Sequence, residues 1–399
     1  MENQGRNENK IRLGIIGIGN MGSGHANNIL EGKCADFCLC AAADIKPDRL
    51  EWIKEAGRAA GAEVECFSDA IAMLDSGKID ACMVCVPHYD HPGYAIECMK
   101  RGIHVMVEKP AGVYTKQVRE MNEEAERHPE VVFGMMFNQR TNCIYRKMRE
   151  LVQSGEYGNI RRTNWIITDW YRSQTYYDSG DWRATWAGEG GGVLLNQCPH
   201  QLDLWQWICG FPVKVDAHMH FGKWHDIEVE DDVTAYVEYE NGATGVFVTT
   251  TGDARGTNRF EIQMDRAKLV AENGQLTMTE YEMPEPEFSK TGRPFQSIPS
   301  REFIVETDGK NEQHVGVLNA WGGAILQGTD LVADGKEGIH GLMLSNAMHL
   351  SAFLDRPVTM PLDETLFYEE LMKRVKNSRR KEQGESVVMD LSDTYGGTR

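Results

Sequence analysis

Ile11-Arg12-Leu13-Gly14-Ile15-Ile16-Gly17-Ile18-Gly19-Asn20-Met21-Gly22 carries an apolar run directly into a glycine-rich turn, and the residues that follow can be helical. The run Ile11–Ile18 reads as a buried strand. At its end Gly17 permits a tight turn, Gly19 permits close approach of a pyrophosphate, and Gly22 permits close helix-to-strand packing, with Asn20 and Met21 between them. The helix that starts here would offer backbone amides to phosphate. A glycine turn alone is weak evidence, and the surrounding pattern has to support it.

Outward from this turn, the first third of the chain alternates short apolar runs with helical patterns. Further strands are expected at Cys38–Ala43, Asp80–Val86, His104–Val107 and Val131–Phe137. Between them, segments such as Pro92–Arg101 put Tyr94, Ile96, Cys98 and Met99 toward a sheet and Glu97 and Lys100 toward water. Strand then helix, repeated, implies a parallel doubly wound sheet of the Rossmann kind. The second strand ends at Asp44, at the spacing where a carboxylate meets the adenosine ribose hydroxyls. A carboxylate there repels the extra phosphate of NADP, so NAD is the expected cofactor. Lys46 and Arg49 could counter that repulsion, and Asp44 could instead cap the turn before Pro47.

After Asn138 the pattern changes. A helical stretch, Ile144–Ser154, is followed by strand candidates at Arg162–Ile167, Val213–His220, Thr234–Tyr239 and Thr244–Thr250. Glu240-Asn241-Gly242 is a hairpin signal between the last two, and hairpins join antiparallel neighbours. The expected division is an NAD-binding domain over 1–140 and an α/β domain with a large, mainly antiparallel sheet over 141–399, for substrate binding and oligomerisation. The polar stretch Asn377–Lys381 and the glycine-bearing end read as a surface extension.

With 399 residues there is enough chain for two cores, and a formal charge of -18 disfavours polyanions. Nucleic acid and anionic membrane are therefore not expected partners. The opening MENQGRNENK has no apolar core, and no stretch approaches the ~20 apolar residues that span a bilayer, so the expected location is cytoplasmic. All ten cysteines read as thiols. Cys82 and Cys85 have CxxC spacing but sit in a strand pattern, where alternate side chains face opposite ways, and no metal site is expected.

Val105-Met106-Val107-Glu108-Lys109-Pro110 places a carboxylate and an amine at the carboxyl end of a strand, the edge where such sheets bind ligands. Together with Pro87…His91 and Gly102…His104, this resembles the Gfo/Idh/MocA family of sugar-oxidising enzymes, such as glucose-fructose oxidoreductase and inositol dehydrogenase, whose fifth strand ends in Glu-Lys-Pro. The resemblance implies that Lys109 contacts both the nicotinamide ribose and the reacting hydroxyl, and that a cis proline follows. A lysine ammonium there can orient the oxygen, favour its developing negative charge and relay a proton. Glu108, Pro87, His88 and His91 fall along the same cofactor edge, although His91 could equally cap or pack the helix it opens. His25 is near that edge too. Asn138-Gln139-Arg140 resembles a family segment that reaches nicotinamide or substrate, which implies substrate contacts from Asn138 and Arg140.

A second signature, Asp181-Trp182-Arg183 followed by Gly190-Gly191-Gly192 and Asn196…His200…Asp203, resembles the family's glycine turn and its Asp-x-x-x-His-x-x-Asp helix. On a helix Asn196, His200 and Asp203 would share one face. His200 is the candidate general base, because imidazole titrates near neutrality, and Asp203 could orient it. Many family members have aspartate where this chain has Asn196. An amide can bond a sugar hydroxyl but cannot take its proton, which moves the acid-base work onto His200 and Lys109.

Between them, Trp165, Trp170, Tyr171, Tyr176, Tyr177, Trp182 and Trp186 crowd one span. Aromatic faces can stack a sugar ring while Arg183 and nearby carboxylates grip hydroxyls, though part of this density must be packing. The expected substrate is a neutral sugar or glycoside contacted by Tyr176, Trp182, Arg183, Asn196 and His200, oxidised at one secondary carbon. The resemblance favours C3 and a homo-oligomer. Two alternatives remain: a glycosidase that oxidises its substrate transiently on NAD, and a non-catalytic NAD-sensing regulator. Retention of Lys109 and His200 favours an enzyme.

Overall fold

A computed structural model describes residues 10–379. The described chain forms two units, one of residues 10–141 with 312–339 and the other of 142–311 with 340–379.

The first unit is built on six parallel strands: β1 (Ile11–Ile16), β2 (Phe37–Ala43), β3 (Glu65–Phe67), β4 (Ala81–Val84), β5 (His104–Val107) and β6 (Phe133–Met135). Their order, β3-β2-β1-β4-β5-β6, is that of a doubly wound dinucleotide-binding sheet, with its switch point between β1 and β4. The sheet is buried on both faces, which is why β1, β2, β4 and β5 read as nearly continuous apolar runs.

The return of 312–339 to this unit corrects the expected division at residue 140. The helix Gln313–Gln327 buries Val317, Leu318 and Trp321 on one face, in the same core as Ile11, Leu13 and Phe37. Trp321 stacks on Phe37 with ring centroids 5.2 Å apart, and its Nε1–H donates to Val132 O at 3.2 Å. The expected strand Asp80–Val86 is shorter at both ends, spanning Ala81–Val84.

The second unit carries nine strands: β7 (Ile160–Ile167), β8 (Lys214–Phe221), β9 (Glu230–Glu238), β10 (Thr244–Thr250), β11 (Asn258–Met264), β12 (Ala267–Glu272), β13 (Gln275–Tyr281), β14 (Ser300–Ile304) and β15 (Val358–Thr359). Their order is β14-β13-β12-β11-β7-β10-β9-β8-β15, and only β7 and β10 pair in parallel. The hairpin between β9 and β10 turns at Gly242, where φ is +83°. Trp165 lies between Phe247 and Phe260 in register across three strands, stacking on Phe260 at 4.2 Å. Trp205, on the helix Pro199–Cys209, stacks on Phe247 at 5.4 Å and donates to Thr163 Oγ1 at 3.1 Å, which seats that helix on the sheet.

Among the described residues no helix is long and apolar enough to cross a membrane. The described cysteines are free thiols, and burial raises the pKa of Cys82 and Cys85 well above the ordinary thiol range. Most of the polar carboxyl-terminal stretch lies outside the described residues. Asn377 itself ends the helix Glu364–Asn377.

Candidate active site

In the first unit, β1 delivers the chain to Gly17 at φ +89°, where a Cβ would lie 2.6 Å from Cys85 O. A Cβ on Gly22 would lie 1.9 Å from Gly17 O, so the helix Asn20–Leu30 can approach the turn only with glycine there. A Cβ on Gly19 would meet nothing within 4 Å. Gly19 caps that helix without a side-chain hydrogen bond, and the first turn holds no acidic residue. An open cradle at the uncapped end of an 11-residue helix fits a pyrophosphate. Asn20 and Met21 form the first residues of this helix, half-buried at the rim.

Asp44 follows β2, and its carboxylate accepts Ile18 N–H at 2.7 Å and Lys46 N–H at 2.8 Å. Each carboxylate oxygen has a second lone pair for a ribose hydroxyl. Arg49 donates to Ile18 O at 2.6 Å and to Ser23 Oγ at 2.7 Å, which commits it to bracing the loop. Ile45, next to Asp44, is 86 % exposed and leaves an apolar surface beside that carboxylate. Sequence reading passed over Ile45; its signal was an isoleucine placed after a strand end, between Asp44 and Lys46.

β5 ends at Glu108, Lys109 and Pro110, with the Lys109–Pro110 peptide cis. Glu108 is buried against His25, whose Nε2 lies 2.5 Å from Oε1, and its Oε2 accepts Lys109 N–H at 3.1 Å. Burial would raise the Glu108 carboxyl, but the hydrogen bond and charge of His25, with His314 and Lys109, outweigh it and hold the pKa at about 2. Lys109 itself is half-buried. Pro87 is exposed and His88 buried at the turn after β4. His91 is buried with Nδ1 2.6 Å from Pro110 O and Nε2 2.7 Å from Val86 O, so it braces two strand-end loops. Asn138 and Arg140 are buried in the same unit: Asn138 donates to Gln313 Oε1, and Arg140 pairs with Glu337.

In the second unit the glycine turn is pinned by Glu230. The carboxylate of Glu230 accepts Gly192 N–H at 2.8 Å and Leu194 N–H at 2.9 Å, and a Cβ on Gly192 would lie 2.0 Å from Glu230 O. His349 Nε2 is 2.9 Å from the same carboxylate. The helix after the turn begins at Pro199, so His200 and Asp203 share it but Asn196 does not. This corrects the expectation of one helical face for all three. Proline suits a first helical position and disfavours helical backbone in the residue before it, and 193–197 form turns instead.

His200 and Asp203 are both buried, and Gln206 donates to Asp203 Oδ1 at 3.2 Å. Asn196 is half-buried and its Nδ2 donates to the buried Glu189. Tyr176 joins this group: Arg183 donates to its Oη at 2.9 Å and Gln197 at 3.2 Å, while the Arg183 guanidinium stacks over Tyr176 and Trp182 at 4.7 and 4.6 Å. Trp165, Tyr177 and Trp186 are buried and belong to packing. Glu189, Glu230 and Gln197 were not singled out from sequence, because a lone Glu or Gln carries no spacing signal.

A doubly wound parallel sheet with an open glycine cradle at a helix N-terminus, a carboxylate just after β2 and a lysine at the end of β5 defines an NAD-dependent oxidoreductase. Residues 11–135 match the model of the oxidoreductase family with NAD-binding Rossmann fold, and residues 145–270 match the GFO/IDH/MocA C-terminal domain. The chain belongs to the Gfo/Idh/MocA family. It is 26 % identical over 277 residues to myo-inositol 2-dehydrogenase of Thermotoga maritima, covering 67 % of this chain and 77 % of that protein. It is 28 % identical over 250 residues to D-glucoside 3-dehydrogenase of Escherichia coli, covering 58 % and 68 %. The WlbA dehydrogenase of Chromobacterium violaceum, solved with NADH and UDP-GlcNAcA, superposes with a TM-score of 0.73 at 28 % identity over 90 % of this chain and 98 % of that one.

Proposed function

We propose that the protein oxidises a secondary hydroxyl of a sugar or glycoside, C3 first among the candidates, to a ketone. The observation that carries this reading is Lys109 at the carboxyl end of β5, tied through Glu108 and His25 to the helix that starts at the glycine cradle. The names of the relatives, an inositol dehydrogenase and a glucoside 3-dehydrogenase, support a polyhydroxylated ring as substrate.

NAD+, held by the Gly17–Gly22 turn and Asp44, would supply the hydride acceptor for the carbinol carbon. Lys109 orients the hydroxyl and stabilises negative charge on its oxygen, and His200 takes the hydroxyl proton. As the family resemblance implies, both act on one hydroxyl, with Tyr176, Trp182, Arg183 and Asn196 holding the rest of the ring. In balance, the secondary alcohol and NAD+ give the ketone, NADH and a proton. The same reading has the enzyme acting in the cytoplasm as a homo-oligomer.

The test is incubation of the protein and NAD+ with a panel of glycosides, free sugars and inositols, following NADH and analysing products by mass spectrometry. A product two hydrogens lighter, formed in step with NADH, is expected. Release of aglycone without NADH accumulation would replace this reading with a transient-oxidation glycosidase, and NAD binding with no turnover of any compound would replace it with an NAD sensor.

A further inference from the structure

Asn196 follows the glycine turn two residues after Leu194, and its amide side chain is half-buried. The structure shows what that amide touches. Asn196 Nδ2 donates to Oε1 of Glu189, and Glu189 Oε2 accepts Ala184 N–H at 2.6 Å. Glu189 is only 2 % exposed. Burial raises its carboxyl pKa, with the positive charge of Arg183 pulling against that shift and Glu230 adding to it. Tyr177 and Glu230, which is paired with His349, are the other titratable groups facing it.

The backbone N–H of Ala184 can only donate, so Oε2 accepts. Asn196 turns its Nδ2 toward Oε1, which accepts as well, so both carboxylate oxygens of Glu189 take N–H donors. We propose that Glu189 is a positioning residue for the oxidation: it locks the Asn196 side chain with its nitrogen inward, so that the carbonyl oxygen is the end that accepts a substrate hydroxyl. Asn196 then selects a hydroxyl that donates at that point without competing with His200 for its proton. This inference rests on the sugar-oxidation reading above.

An amide–carboxylate exchange tests it. In Glu189→Gln, the Gln oxygen keeps Ala184 N–H, its NH2 faces Asn196, and Asn196 must flip to present N–H to the substrate. In Asn196→Asp, two carboxylates meet and one must hold a proton. The double variant restores a single N–H to carboxylate bond and leaves an acceptor oxygen facing the substrate. kcat/KM should fall at least about tenfold in each single variant, the scale of one lost hydrogen bond, mainly through KM in Glu189→Gln and increasingly with pH in Asn196→Asp. The double variant should recover to within about threefold of wild type, a scale below one hydrogen bond, and Tm should show the same rescue.

Rescue of Tm without rescue of kcat/KM, or a Glu189→Gln enzyme with unchanged kcat/KM, would overturn the positioning role. A Tm of the double variant no higher than that of the worse single variant would overturn the coupling itself. If wild type forms no NADH from any sugar while the Tm rescue holds, the oxidation reading fails and the Glu189–Asn196 coupling stands.

Discussion

The imidazole of His25 and the carboxylate of Glu108 meet at 2.5 Å in an interior where neither side chain is more than 4 % exposed. His25 comes from the helix that starts at the glycine cradle, and Glu108 sits between β5 and Lys109. This pair therefore links the helix after the glycine cradle to Lys109. A second ring, His314, packs edge-on against His25 at 5.4 Å.

Replacing His25 by Leu strands a buried carboxylate. Loss of one partner of a buried pair typically costs about 3–5 kcal/mol, and chemical denaturation of His25→Leu should show a loss of that order. Adding Glu108→Gln removes the stranded charge and should return part of the stability. A His25→Leu protein as stable as wild type would mean that the pair contributes little.

The same cluster makes stability depend on pH. Burial lowers the His314 pKa to about 4 from an ordinary 6.5, helped by the charge of His25. Its folded form thus resists protonation that the unfolded chain accepts. Stability associated with His314 is whole above pH 6.5 and declines as pH falls toward 4. The full shift would correspond to at most roughly 3 kcal/mol. Glu108 adds a further loss between its ordinary 4.5 and about 2. His314→Gln should flatten the upper window selectively when unfolding free energy is measured against pH. An unchanged slope between 6.5 and 4 would remove His314 from the account.

Asp44 should govern cofactor choice. Asp44→Ser removes the charge proposed to repel a ribose phosphate while keeping a small acceptor for the backbone N–H groups of Ile18 and Lys46. The ratio of NAD to NADP affinity, measured by calorimetry, should fall by about tenfold or more, on the scale of 1.4 kcal/mol. Equal affinities already in the wild-type protein would contradict the assignment.

The aromatic span should divide in two. Trp165→Ala empties a site enclosed by Phe247 and Phe260 and should cost about 3–5 kcal/mol of stability. Tyr176→Ala and Trp182→Ala, at half-buried residues grouped with Arg183, should instead raise KM severalfold with Tm close to wild type. Kinetically silent variants at both positions would assign the whole span to packing.

Much of this was legible in the residues. The apolar run into Gly17, Gly19 and Gly22 marks β1 and the cradle because a two-sided sheet needs continuous apolar strands and the turn tolerates no side chain at Gly17 or Gly22. β3 shows no period in the sequence, since it is only exposed Glu65 with half-buried Cys66 and Phe67. β11 to β13 alternate buried Phe260, Ile262, Leu269 and Met278 with charged or polar neighbours, a weak pattern in strands of six or seven residues. The hairpin dipeptide Asn273-Gly274, with φ of +51° and +71°, was the available clue to them. Nothing local reveals that Val317, Leu318 and Trp321 rejoin the first sheet, since long-range packing leaves no mark near the residues it covers. Asn196 was misplaced on a helix because 3.6-residue spacing was followed through Pro199.

His200 carries the proton in this account. His200→Ala should lower kcat by about 10²-fold or more, the usual scale for a lost general base. Because an imidazolium cannot accept a proton, wild-type kcat/KM should decline in acid, and that limb should vanish in the variant. An acid limb that persists in His200→Ala would assign the proton to another group.

Hydride transfer from a sugar carbon whose hydroxyl is held by Lys109 is tested most directly by the single-turnover rate of NADH formation from a glucoside in Lys109→Ala against wild type, at saturating NAD+ and glucoside. NADH should appear at least about 10²-fold more slowly in the variant. NADH formed by Lys109→Ala at the wild-type rate would contradict it.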